Sequence, residues 1–384
     1  MSKANPGGQI APDDVIGRDE LIEQIWDRLE QQCVLINAER RIGKTSVLKK
    51  MLEEPRDGWM PVFQDLERIH SAEDFAVEVH RIVQTYLDAL KKGVNLVQRL
   101  LETSSTETID FKGRSWQHLL EDAIRDLVRE KSDTKLVWFW DEVPYMVENI
   151  RKSQGEAKAA QVLDTLRSLR QQYPEIRMVF TGSIGLHHVL ASIKSGHVAT
   201  EPVNDMYALE VLPLSGEHAA LLAERLVLGE ELECHNLEEA CAAIADESDC
   251  FPFYIHHIVC ALKIQSKAAS AESVKELVQD QLVAAGDPWE LAHYRTRIPD
   301  YYKLEGDSEI VTIVLDYLAD GTERNVGDLL NDIASQTKVD CSRERLLPLL
   351  RLMERDHYLR RSRENVYGFR FPLVRRWWKL DRGL

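Results

Sequence analysis

One short stretch limits the folds open to this chain more than any other. Ala38-Glu39-Arg40-Arg41-Ile42-Gly43-Lys44-Thr45 lies one small residue away from the pattern G-x-x-x-x-G-K-[ST]. An apolar segment, Cys33 to Asn37, leads in, and a segment with helical spacing, Ser46 to Leu52, leads out. A strand, a tight loop and a helix in that order turn several backbone N–H groups toward one point, with the positive end of the helix dipole behind them. A polyphosphate is the ligand that suits such a loop. Lys44 is placed to reach its β- and γ-phosphates, and Thr45 to hold Mg2+. Glycine at the first position eases tight turning, and Ala38 is the smallest substitute. The stretch predicts an α/β core that binds ATP or a related nucleoside triphosphate.

A second apolar run, Leu136 to Trp140, ends in Asp141-Glu142. A run apolar on both faces fits a central strand of a parallel sheet. Asp141 is the candidate Mg2+ ligand, through water. Glu142 is the candidate general base for the attacking water. Without the loop upstream, the same pair would read as two solvated acids closing a strand. The next strand, Ile176 to Thr181, runs into Gly182-Ser183. Thr181 and Ser183 are candidate sensors of the γ-phosphate or the attacking water, against a plain polar turn. Arg40 and Arg41 sit within the loop, either on phosphate or turned outward. Arg167, Arg170 and Arg177 are candidate arginine fingers, although each reads more simply as a helix-surface or strand-edge charge.

Strands alternating with helices predict a doubly wound parallel sheet over residues 15–212. Residues 1–14, rich in Gly, Pro and Ala, read as a flexible tail. A strand is expected over residues 61–66. Ser71 to Asp74 resembles a capping box that opens a helix bearing Phe75, Val79, Ile82, Val83, Tyr86 and Leu90 on one face. Further helices are expected at roughly 115–130 and 156–172. After Leu212 to Ser215 the character changes. Residues 213–300 read as a helical lid domain followed by an aromatic bridging segment. Residues 301–384 read as three helices and a hairpin, which make a winged helix-turn-helix. The hairpin pairs Tyr358–Arg361 with Tyr367–Phe371, and Pro348 is awkward in the third helix.

The formal charge of −16 argues against a chain that coats nucleic acid generally. The charge is uneven, however. Ser342 to Leu384 holds twelve basic and five acidic residues, a surplus of seven, so the preceding 341 residues carry −23. Arg360, Arg361 and Arg363 at the hairpin are candidate contacts to duplex DNA. The other reading is that the patch docks a protein or the chain's own acidic surface. Cys234, His235, Cys241, Cys250, His256, His257 and Cys260 match no zinc spacing, and reduced thiols are the simpler reading. No apolar run approaches the roughly 20 residues that span a bilayer, and the N-terminus has no apolar signal core. The expectation is a cytoplasmic protein with no membrane partner.

Taken together, these motifs resemble the STAND-type P-loop ATPases, in particular the archaeal-type ATPase family related to the origin-recognition AAA+ proteins. Ile16-Gly17-Arg18-Asp19-Glu20 looks like that family's N-terminal motif. The loop A-E-R-R-I-G-K-T-S is close to its G-x-R-R-x-G-K-T-S, which brings Glu39 to Ser46 into the nucleotide site. Asp141-Glu142 and Thr181-Gly182-Ser183 match its acidic pair and its T-G-S strand end. Cys250-Phe251-Pro252 stands where the family carries G-x-P. The resemblance implies that the backbone of Ile16, Gly17 and Arg18 lies against adenine, that Pro252 packs on the base, and that Lys44 and Glu142 serve hydrolysis. Cys250 departs from the pattern and leaves the local backbone open.

The resemblance also implies an ATPase that works as a switch, with ATP between the core and the lid and with slow, regulatory hydrolysis. Two functions follow. One is a regulatory ATPase that controls a partner protein or its own assembly, as in defence or signalling. The other is a DNA-binding AAA+-like ATPase of replication or transposition, acting through the basic winged helix. A metabolic kinase is a poor third, because no acceptor-substrate domain is apparent.

Overall fold

The computed structural model describes residues 2–92, 115–130, 135–182, 185–194 and 202–384. They fall into two compact units. One comprises Asp19–Ala38 and Lys44–Val211. The other comprises Met1–Arg18, Glu39–Gly43 and Leu212–Leu384.

The first unit is built on five parallel strands: β1 (Val34–Asn37), β2 (Trp59–Asp65), β3 (Lys135–Asp141), β4 (Arg177–Phe180) and β5 (Tyr207–Glu210), in the order β2-β3-β4-β1-β5. The helices that connect them are α1 (Asp19–Leu29), α2 (Lys44–Glu53), α3 (Ala72–Lys92), α4 (Trp116–Arg129), α5 (Val143–Gln154), α6 (Glu156–Gln172) and α7 (Leu186–Lys194). The order matters for the site. β4 separates the loop strand β1 from the acid strand β3, with Val34 opposite Val179 and Phe139 opposite Val179 on the other side. Because all strands are parallel, the ends of β1, β3 and β4 fall on one edge of the sheet, where α/β folds hold ligands.

Aromatic packing fixes β3 in this layer. Every residue from Leu136 to Asp141 is buried. Trp138 and Trp140 stack at 5.7 Å, Phe75 meets Trp140 at 5.2 Å, and Trp26 meets Phe139 at 6.0 Å. Each buried indole takes about 150–250 Å² out of water. The Trp140 indole N–H donates to Gln64 Oε1 at 2.6 Å, so its one polar atom is satisfied. Ser71 caps α3 through the Asp74 amide at 3.0 Å, as the sequence predicts.

The second unit begins with chain expected to be loose. Instead the Ala4 amide donates to Glu230 Oε1 at 2.9 Å and the Asn5 amide to His256 Nδ1 at 3.1 Å. Four helices follow: α8 (Gly216–Gly229), α9 (Leu237–Glu247), α10 (Pro252–Ile264) and α11 (Ala271–Leu282). The bridging segment forms two short turns, α12 (His293–Thr296) and α13 (Ile298–Tyr301). The remainder is α14 (Asp307–Leu318), β6 (Arg324–Asn325), α15 (Val326–Gln336), α16 (Arg343–Arg355), β7 (Leu359–Arg361), β8 (Val366–Phe369) and α17 (Pro372–Arg382). β7 and β8 form the expected antiparallel hairpin, and β6 adds a third strand beside β8. Pro348 sits inside α16 without ending it. No helix among the described residues is long and apolar enough to cross a membrane.

Candidate functional site

The acid strand and its neighbours come together around one carboxylate. Asp141 is buried at the end of β3. Its Oδ2 accepts the Thr45 hydroxyl at 2.7 Å, and its Oδ1 accepts the Thr181 hydroxyl at 2.8 Å and the Glu142 amide at 3.1 Å. The sequence separates Thr45, Asp141 and Thr181 by more than 130 residues, and the parallel sheet brings them within hydrogen-bond reach. Thr181 therefore spends its hydroxyl on orienting Asp141. Ser183, the other sensor candidate, lies outside the described residues.

Glu142 adopts the left-handed backbone at φ 58°, where the chain turns from β3 into α5. Such a conformation is costly for an L-residue. Here it is held by the Val143 amide, which donates to the Thr181 carbonyl at 3.0 Å, and by Pro144, which fixes the first turn. Gly182 is required at this spot. A Cβ there would come within 2.4 Å of Pro144 Cδ. Strained backbone at a strand end carrying acids is where functional constraint commonly shows.

Lys44, Thr45 and Ser46 form the first turn of α2, whose leading amides have no partner within the helix. Lys44 is buried and its ammonium donates to the Ala38 carbonyl at 3.1 Å, so it folds back across the loop. Upstream, Arg41 (φ 66°) and Gly43 (φ 96°) alternate with Ile42 in left-handed conformations. Among the described residues, the amides of Arg41, Ile42 and Gly43 donate to no protein acceptor. A Cβ built on Gly43 meets nothing within 4 Å. Unpaired amides around open space make an anion cradle, and within the first unit the hard-oxygen donor set of Thr45 and Asp141 suits Mg2+. These residues fit a nucleoside triphosphate with its metal.

The loop residues Glu39–Gly43 belong to the second unit and are fastened there at three points. The buried Arg18 guanidinium donates to the Ile42 carbonyl at 2.9 Å and the Leu212 carbonyl at 2.8 Å. Desolvation pushes its pKa down to about 10. Arg41 pairs with Glu290 and lies 4.4 Å over the Phe253 ring. Its side chain is thus engaged away from any phosphate role. Glu39 is 2% exposed and accepts both ends of the Arg297 fork at 3.2 Å. Burial raises the Glu39 carboxyl, but Arg297 and the nearby His293 and His357 rings outweigh it and hold it well below the usual carboxylate range. Nothing in the loop pattern marks Glu39 as special. Its partner lies 258 residues away, in a segment whose only sequence signal is its aromatic content.

The residues that the resemblance assigns to the base also fall in this unit. Gly17 takes φ 67°, and a Cβ on it would approach His218 Cγ to 2.5 Å, so glycine is needed there. Pro252 opens α10. Cys250, in the place of the family glycine, keeps a left-handed backbone at φ 59°, next to Asp249 at φ 48°. The turn survives the substitution because the Cys250 amide donates to the Ala245 carbonyl at 2.9 Å and its carbonyl accepts the Leu214 amide at 3.1 Å.

Other arginines are less free than the sequence suggests. Arg170 is locked onto Asp205 at 2.8 Å, and Arg177 onto the backbone carbonyls of Leu29, Glu30 and Pro174 at the opposite end of β4 from Thr181. Neither is placed as a finger. At the hairpin, Arg360 pairs with Glu323 at 2.7 Å and Arg361 with Glu354 at 3.5 Å. Arg345, Arg376 and Arg382 pair with Asp307, Glu247 and Asp316. Much of the basic surplus is thus neutralised within its own unit.

No family model matches the chain, and no curated protein matches it. Solved structures do. The Walker-type ATPase of Pyrococcus abyssi is similar over 98% of this chain and 98% of its own, with a TM-score of 0.67 at 15% identity. The Aeropyrum pernix ORC2 protein in its ADPNP–ADP complexes is similar over 95% of this chain and 92% of its own, with a TM-score of 0.56 at 13% identity. Its ADP form gives a TM-score of 0.50 at 12% identity. With five parallel strands in the observed order and the loop at the end of β1, the chain has the P-loop fold of these Walker-type and origin-recognition proteins.

Proposed function

We propose that this chain is an ATP-binding and hydrolysing switch that controls a partner protein or assembly. The observation that carries the reading is Asp141, which bridges Thr45 of the loop helix and Thr181 of β4. In this reading the loop amides and Lys44 hold the β- and γ-phosphates. Thr45 and Asp141 hold Mg2+, which when bound neutralises charge on the phosphate oxygens. Glu142 takes the proton of the attacking water. Ile16, Gly17, Arg18 and Pro252 face the base. The helical segment after Leu212 acts as a lid, and the residues from about 301 to 384 form a winged helix. Loop residues Glu39–Gly43 share a unit with Pro252 and the hairpin, which supports a switch over a plain hydrolase. A ligand moves such an equilibrium only through its preference for one state.

Duplex DNA as a partner is the second reading. Arg351 and Arg355 are exposed on α16 and, with the exposed Arg363, form no ion pair among the described residues. That row, rather than the paired Arg360 and Arg361, supports a phosphate contact. The binding claim is tested by titrating a fluorescent ATP analogue into the wild type and Lys44→Ala. The expected result is saturable binding that Lys44→Ala abolishes. Equal affinity of the two chains contradicts the loop assignment.

A further inference from the structure

The Glu39 carboxylate is buried and the Arg297 side chain is only 11% exposed, and a pair so withdrawn from water is a poor way to gain stability alone. Its surroundings suggest another use. Arg297 makes a bidentate fork on Glu39 at 3.2 Å. The same guanidinium donates through Nε to the Tyr358 hydroxyl at 2.9 Å and through Nη2 to the Asp356 carbonyl at 2.7 Å. It lies 4.5 Å from the ring centroids of both Tyr294 and Tyr358. Tyr358 donates onward to the Tyr294 carbonyl at 2.5 Å, and Tyr302 donates to Asp356 Oδ2 at 2.6 Å. Residues 356–358 are the turn that leads directly into β7, and His357 there is left-handed at φ 61°.

At the other end, Glu39 Oε1 also accepts the Arg40 amide at 2.8 Å. Glu39 thereby engages the loop amide just before the three that have no acceptor among the described residues, and fixes the direction in which the chain enters the cradle. A planar fork with five donors, packed against two aromatic rings that meet edge to face, admits few orientations. One side chain therefore joins the start of the phosphate loop to the base of the hairpin.

We propose that Arg297 is a positioning residue, which holds the phosphate loop through Glu39 and couples its geometry to the β7–β8 hairpin. The proposal rests on the ATPase reading above. It assigns Arg297 no contact with nucleotide. Its effect is on how well the loop is preset and on what the hairpin registers when the loop is filled.

The test uses the full chain, an ATP analogue with a fluorescent ribose label, and amide hydrogen exchange of the peptide that covers residues 356–370. Wild type, Arg297→Gln, Glu39→Gln and the double variant are compared after circular dichroism has checked each fold. Each single substitution is expected to weaken binding roughly ten-fold, and the double no further than the worse single. ATP should slow exchange in the hairpin of the wild type and leave it unchanged in Arg297→Gln, a readout that a merely structural role would not move. If Arg297→Gln does not fold, Glu39→Gln, which is isosteric and still accepts from Arg297, carries the same comparison. Additive losses, unaltered affinity, or hairpin exchange that responds to ATP equally in both chains would overturn the proposal and leave the ATPase reading standing. Failure of the wild type to bind the analogue would overturn both.

Discussion

Asp249 offers a quantitative check on the turn that leads into Pro252. Its Oδ2 accepts the Leu373 amide at 2.6 Å and so caps the start of α17. Burial pushes its pKa up to about 7, against partial opposition from the Leu373 amide and Arg376. The unfolded chain ionises this carboxyl near its ordinary 3.8, while the folded chain keeps the proton to about 7. The folded state thus binds more protons across that interval, and the stability Asp249 contributes is present below pH 4 and lost as the pH rises to 7. At about 1.4 kcal/mol per pH unit the loss is about 4 kcal/mol, which solvent access to a partly exposed side chain reduces to about 2 kcal/mol. Asparagine keeps the accepting oxygen, cannot ionise, and tolerates the left-handed backbone found here. Asp249→Asn should therefore match the wild type at pH 4 and exceed it by about 2 kcal/mol at pH 8, as read by urea unfolding at both pH values. The refuting result is Asp249→Asn less stable than the wild type at pH 8. That outcome would mean an ionised carboxylate favoured by the positive end of α17.

Two further outcomes follow from the loop and the hairpin. Gly43→Ala should retain the fold, because a left-handed alanine costs only about 1–2 kcal/mol and its Cβ meets no neighbour. It should lose binding of the labelled ATP, because the methyl occupies the cradle, and retained affinity would count against the cradle. If duplex DNA binds at low salt, Arg351→Ala and Arg355→Ala should each weaken it and reduce the slope of log affinity against log salt by about 1. Arg360→Ala should change it little, and the reverse ranking would contradict the ion-pair argument.

Local patterns carried most of the core into view. The loop motif, the apolar run before Asp141-Glu142 and the cap at Ser71 each depend on residues close in sequence, and each lies where its local chemistry predicts. Features that depend on distant partners were hidden. β5 (Tyr207–Glu210) is a four-residue edge strand with Glu210 exposed, so it lacks the continuous apolar run that marks β3. α5 follows Glu142 so closely that only the left-handed turn separates strand from helix, and no propensity signals that turn. The Glu39–Arg297 pair spans 258 residues. The basic surplus after Ser342 was legible as a sum, but its neutralisation by Glu247, Asp307, Asp316 and Glu323 was not. Cys250 was legible as a departure from a glycine pattern, and only the backbone shows that the left-handed turn is kept.

The central claim is that Asp141 and Glu142 serve hydrolysis of a triphosphate held by the Ala38–Thr45 loop. Steady-state ATP turnover by the wild type and Glu142→Gln tests it most directly, with binding of the labelled analogue measured alongside. The expected result is slow turnover by the wild type, a fall of about 100-fold or more in Glu142→Gln, and retained binding in both. Equal turnover by the two chains would contradict the assignment of Glu142 as the base.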